Sequence, residues 1–85
     1  MMAVYVDKMK MPYGRMFMSH MLADTMEELH AMAARIGLKR AWFQPRSVPH
    51  YDVCQAKRKM ALAAGAVEID RYQAVALIRK IKGKS

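Results

Sequence analysis

Eighty-five residues, 54% of them hydrophobic, suffice for one core and exclude both a two-domain chain and a disordered one. Fifteen Lys and Arg against seven acids leave a net charge of +8, a surplus that favours nucleic acid, an acidic protein or an anionic surface as partner. The single cysteine excludes an internal disulfide, and the chain shows neither an apolar run of membrane-spanning length nor a signal-peptide core; a cytoplasmic protein without a membrane partner is expected.

In chain order, Ala3 to Val6 is a short β-type run that ends at Asp7. The stretch from Lys8 to Arg15 contains Pro12 and Gly14 and reads as a loop. Arg15 to Leu22 alternates as a second strand, with Met16, Met18, His20 and Leu22 on one side and Phe17, Ser19 and Met21 on the other. Antiparallel pairing of these two strands would bring Arg15 near Asp7.

Thr25 and Glu28 have the spacing of a capping box. Met26, Leu29, Met32, Ala33 and Ile36 then form a helical stripe that stops at Gly37. His30 falls at the edge of that stripe. Ala41 to Gln44 is an optional short strand, followed by a polar loop with two prolines.

A second capping-box spacing, Asp52 with Gln55, predicts a helix that runs to Gly65. Its apolar face is Val53, Ala56, Met60, Ala63 and Ala64; on a helical wheel Arg58 points away from this face and Lys57 and Lys59 flank it. Ala66 to Ile69 makes a further strand. Asp70 with Gln73 caps a last helix carrying Ala74, Val75, Leu77, Ile78 and Ile81, and residues 82–85 form a frayed basic tail. The expectation is one α/β domain over residues 1–85, with a mixed sheet of three to four short strands and three helices in the order β-β-α-(β)-α-β-α.

These residues also carry a resemblance. V-Y-V-D, G-R with S-H-M, and A-D-T-x-x-E-L-H-x-x-A-x-R-I-G-L are followed by W-F-Q, H-Y-D-V, K-R and A-x-x-x-G-A-V. In this order they resemble a family of small bacterial and phage proteins classed as a domain of unknown function. The resemblance implies a compact α/β domain and a phage or prophage setting, and it brings no activity. Its polar motif positions are Asp7, Arg15, His20, Asp24, Glu28, His30, His50, Tyr51, Asp52 and Arg58.

Two chemistries follow from the residue types. Asp7, His20, His50 and Asp52 are the candidate catalytic residues, two imidazoles and two carboxylates suited to acid–base work or to holding a metal, with Arg58 and Arg15 to bind a phosphate. The plainer reading makes Asp52 a helix cap, pairs Asp7 with Arg15, and half-buries His20 and His30 as hydrogen-bonding side chains. His50 and Cys54 are spaced as zinc ligands on a helix can be, but no CxxC or HExxH completes a site; no metal and no cofactor are expected.

The second chemistry is charge. Arg15, Lys57, Arg58, Lys59, Arg79, Lys80 and Lys82 are candidate phosphate or nucleic-acid contacts, joined by Arg71 and Lys84, and Lys39, Arg40 and Arg46 surround Trp42 and Phe43. The plainer reading of each run is a solvated face. Binding of a phosphate-bearing partner, nucleic acid first, leads on charge; a small phosphate-handling enzyme is the alternative. A third is a protein that binds a host protein through Met9, Met11 and Trp42.

Overall fold

The computed structural model describes residues 3–46 and 48–83. Lys84, in the basic tail, lies outside the described residues. The strands are β1 (Val4–Asp7), β2 (Met11–Tyr13), β3 (Met16–Ala23), β4 (Tyr51–Cys54) and β5 (Val67–Ile69). The helices are α1 (Met26–Arg35), α2 (Gln55–Ala63) and α3 (Arg71–Lys82). The fold is α/β with a mixed sheet of five strands, one more than the upper count expected from the sequence.

β3 is the hub of the sheet. It pairs antiparallel with β1 (Val6 opposite Met21), with β2 (Met11 opposite Met18) and with β4 (His20 opposite Asp52). Met18 is matched by both Met11 and Cys54, and Met21 by both Val6 and Tyr51. β4 therefore runs along one edge of β3 while β1 and β2 share the other. β5 adds parallel to β1, with Asp7 opposite Ile69.

Because side chains alternate along a strand, this register sorts them into two faces. Val4, Val6, Ser19, Met21, Ala23, Tyr51 and Val53 share one face, and all are buried. The apolar members join Leu29, Met32, Ala33 and Ile36 from the α1 segment and Ala61 of α2 in the core. Tyr5, Asp7, Met18, His20, Leu22, Asp52 and Cys54 share the opposite face. The functional groups of the sequence thus sit back to back with the core.

Local chemistry sets the helix ends. Thr25 accepts a hydrogen bond from the Glu28 N–H at the start of α1, and Asp70 with Gln73 forms a reciprocal capping box on α3. α1 and α2 both stop in Schellman geometry. Leu38 N–H donates to the Ala33 carbonyl (2.8 Å) and Ala66 N–H to that of Ala61 (2.9 Å), with Gly37 at φ +82° and Gly65 at φ +107° between.

Several expectations are corrected. Met11 to Tyr13 is a strand; Pro12 fits there because β2 pairs through only one of its edges. Ala41 to Gln44 is not a strand: Arg40–Trp42 is a 3₁₀ turn, and Gln44 makes only an isolated bridge to His50. The optional strand of the predicted order is instead β4. Asp52 therefore caps nothing; α2 begins at Gln55, with Cys54 in the cap position and no side-chain cap. The buried residue of α2 is Ala61, while Ala56, Met60 and Ala63 are exposed. Lys82 is the last residue of α3, not the start of a frayed tail.

Candidate functional site

Asp7, His20, His50 and Asp52 meet on the outer face of the sheet. Asp7 ends β1 and is 2% exposed. Its carboxylate accepts three hydrogen bonds: His20 Nδ1–H to Oδ2 (2.7 Å), and the backbone N–H groups of His20 (2.9 Å) and Met9 (3.3 Å) to Oδ1. Arg15, the expected partner of Asp7, is exposed at the turn between β2 and β3. Burial works to raise the Asp7 carboxyl, but the hydrogen bonds from His20 overcome it and hold the pKa below the ordinary carboxylate value. The Asp7 hydrogen bond correspondingly raises His20, against its own partial burial.

His20 and Asp52 lie directly opposite each other across the β3–β4 ladder. His50 is held just ahead of β4 by paired backbone hydrogen bonds with Gln44, both 3.0 Å. The His50 Nδ1–H donates to the Val48 carbonyl (2.7 Å). Both imidazoles therefore commit Nδ1 to an anchoring acceptor and leave Nε2 directed elsewhere. His20 Nε2 lies 4.0 Å and His50 Nε2 3.6 Å from Oδ1 of Asp52. The two rings meet edge to face at 5.5 Å.

Asp52 is fixed from its other oxygen, where Gln44 Nε2–H donates to Oδ2 (2.7 Å). Oδ1 is buried and has no hydrogen-bond partner among the described residues. One ligand atom each from His20, His50 and Asp52 falls within 4.8 Å of the others. Donors on one tetrahedral zinc lie about 3.3 Å apart, so a small contraction of the observed spacing would let the three share an ion. The set is two imidazoles and one carboxylate, each imidazole backed by an acceptor at Nδ1.

A family model described as a protein of unknown function (DUF4031) matches residues 4–81. The chain belongs to this family. Comparisons with curated proteins and with solved structures gave no match.

The remaining sequence candidates of this DUF4031 protein take separate places. Arg58, expected to point outward, turns in: its Nε–H donates to the Asp7 carbonyl (2.9 Å) and its other end pairs with Glu68. Lys57 donates from Nζ to the Ile36 carbonyl (2.7 Å). Arg15 and Lys59 are exposed, and Arg79, Lys80 and Lys82 form the last turn of α3, where cations suit the helix dipole. Arg58 and Lys57 are thus engaged at two separate backbone carbonyls. Cys54 lies on β4, so the helical spacing that linked it to His50 does not apply.

Beside the site runs a groove of about 500 Å³. Tyr13, Met16, Met18, Asp52 and Cys54 line it from the strands, and Leu38, Trp42, Gln44 and Lys57 complete its lining. Sequence reasoning missed Gln44 as the anchor of Asp52 and the Val48 carbonyl as the anchor of His50. Neither has a local signal, since both depend on the bridge that closes residues 44–50.

His30 stands apart, on the core side. Its Nδ1 shares a 2.8 Å hydrogen bond with the Tyr51 hydroxyl, its ring lies 4.6 Å from that of Phe43, and its Nε2 is buried without a partner. Burial, with the Arg40 cation behind it, lowers the His30 pKa. The unfolded chain then takes the proton more readily. The stability contribution of neutral His30 is complete above the unfolded value of about 6.5 and is lost as pH falls through the lower folded one. We expect His30→Gln to lose less stability than the parent between about pH 7 and pH 5 in urea melts. Equal losses in the two proteins would contradict this assignment.

Proposed function

We propose that this protein is a metal-dependent enzyme that hydrolyses a phosphate ester, with His20 Nε2, His50 Nε2 and Asp52 Oδ1 as the metal ligands. The observation that carries the reading is the buried, unpartnered Oδ1 of Asp52, faced by two imidazole nitrogens too distant to hydrogen-bond to it. A buried anionic oxygen left without a partner is costly, and a bound cation removes the cost. Three protein ligands leave coordination positions open, as in catalytic rather than structural sites.

A bound first-row transition ion would supply an acidified water and neutralise charge on the phosphate. The chain's own residues supply the geometry. Asp7 fixes the His20 ring, the Val48 carbonyl fixes that of His50, and Gln44 holds Asp52 by its outer oxygen. Arg58 anchors the backbone of Asp7 from behind. In the net reaction the oxygen of water joins phosphorus, the ester P–O bond breaks, one proton goes to the leaving oxygen and the other to solvent.

The surplus of positive charge suits an anionic substrate, the single cysteine a cytoplasmic location, and the family resemblance a phage-type setting. Charge alone places simple nucleic-acid binding first; the convergence of four candidate residues moves the enzyme ahead. Simple binding stays as the second reading, favoured by the exposed cations of α3.

The test is to strip the protein with chelator and titrate Zn²⁺, Mn²⁺ and Co²⁺ calorimetrically, following hydrolysis of bis(p-nitrophenyl) phosphate in parallel. The expected result is one site per chain, and hydrolysis that requires the ion and disappears in His20→Ala. Absence of stoichiometric binding would overturn the reading.

A further inference from the structure

The groove beside Asp52 bears on which phosphate ester the site takes. Resting on the metal-site reading above, we propose that the substrate is single-stranded nucleic acid, with one unstacked base seated in this groove while its phosphate lies at the His20–His50–Asp52 centre.

The groove and the centre adjoin at Asp52, which lines the groove and is one of the three residues of the centre. The lining is unusual for a site that receives an anion. Met16 and Met18 come from β3, and Tyr13 and Trp42 add two aromatic rings. Tyr13 is 70% exposed, Trp42 49% and Met16 48%. Thioethers and aromatic rings offer flat, polarisable contact without hydrogen-bond demand, which is what the face of a nucleobase needs. A volume of about 500 Å³ accommodates a ligand of nucleotide size.

Charge is arranged to match. Asp52 is the only acid in the lining, and Lys57 is its cation. The Lys57 ammonium donates to the Ile36 carbonyl and, with three donors, has two more to offer. Arg15 precedes Met16, and Lys39 and Arg40 precede Trp42, all three exposed. Lys39 Nζ stands 5.6 Å from the centre of the Trp42 ring. The Lys39 cation beside the Trp42 wall places one phosphate contact at the groove. In a duplex the bases are stacked and paired, so an intact double helix cannot fill the groove.

Trp42 is the sole tryptophan and so reports directly on the groove. The experiment follows its fluorescence in chelator, with no metal present, as short single-stranded oligonucleotides are added. Three matched ligands are compared: a normal strand, the same strand with abasic sites, and the duplex. The expected result is saturable quenching by the normal strand, with roughly five- to hundredfold weaker binding of the abasic strand and the duplex, the range set by loss of one base–aromatic stack. The abasic strand keeps the phosphates, so equal affinity for it would overturn the base-in-groove proposal whatever a variant does to folding.

A second arm uses labelled oligonucleotide anisotropy with Trp42→Ala and Met18→Lys, which should weaken binding of the normal strand but not of the abasic one. Equal weakening of both strands would count against the proposal. The proposal and the reading it rests on fail separately. Base-dependent binding without metal-dependent cleavage supports the groove and sinks the hydrolytic centre. Metal-dependent hydrolysis of bis(p-nitrophenyl) phosphate without base-dependent binding does the reverse.

Discussion

Asp52→Asn is expected to reduce transition-metal affinity by more than the roughly 10- to 100-fold typical of changes to an anchoring group, and hydrolysis with it, while leaving the fold intact. Asp52 Oδ1 is the one anionic atom facing both imidazole Nε2 atoms, and it makes no hydrogen bond. The amide keeps the size of the side chain and can still accept from Gln44, but it carries no charge. With chelator present, the same substitution should leave thermal stability nearly unchanged, because Asp52 is partly exposed and the amide keeps the Gln44 hydrogen bond. Asp7→Asn makes a graded comparison: it weakens the anchor of His20 Nδ1 without touching an ion, and its loss should be the smaller. Calorimetric titration and thermal melts read both effects. Unchanged metal affinity in Asp52→Asn would remove Asp52 from the ligand set.

The largest stability effect is expected at Tyr51. It is fully buried, pairs with Met21 across the β3–β4 ladder, packs against Phe43 and holds His30 through its hydroxyl. Tyr51→Ala removes an aromatic ring from the core and strands His30 Nδ1; about 3–5 kcal/mol is the usual cost of such a truncation. For an 85-residue chain that is a large part of a total stability near 5–15 kcal/mol. Tyr51→Phe keeps the ring and loses only the hydroxyl, so about 1–3 kcal/mol is expected. Urea denaturation distinguishes the two. Near-equal losses would place the importance of Tyr51 in its hydrogen bond and not in its packing.

What the sequence conveyed depended on the range of the interaction. The starts of α1 and α3 were legible because Thr25–Glu28 and Asp70–Gln73 each form within one turn. Asp52–Gln55 has the same spacing and is no cap. There the β4 ladder with β3 competes and wins, and Gln55 reaches instead to the Phe17 carbonyl and the Ser19 hydroxyl. The alternation of buried Tyr51 and Val53 with partly exposed Asp52 and Cys54 was the available strand signal. It spans only four residues and was outweighed by the capping motif.

The same displacement hid the role of Arg58. A wheel centred on Ala56 and Met60 turns it to solvent; one centred on Ala61, the residue actually buried, turns it toward Asp7. The four candidate residues could be named from their chemistry, but their meeting could not be read locally. His50 and Asp52, two residues apart, share a face once the chain there is extended, but His20 joins them only through the pairing of β3 with β4. The short His50–Asp52 spacing offers two of the three ligands; the third comes from a distant strand. No helix among the described residues is long and apolar enough to span a bilayer.

The most direct test of the central claim is anomalous diffraction from crystals of the chelator-stripped protein soaked in Zn²⁺, recorded at the zinc edge. The proposed centre predicts one strong peak per chain, about 2.0–2.2 Å from His20 Nε2, His50 Nε2 and an Asp52 carboxylate oxygen. A peak only at Cys54 or at His30, or none at an ion concentration that saturates calorimetric binding, would contradict it.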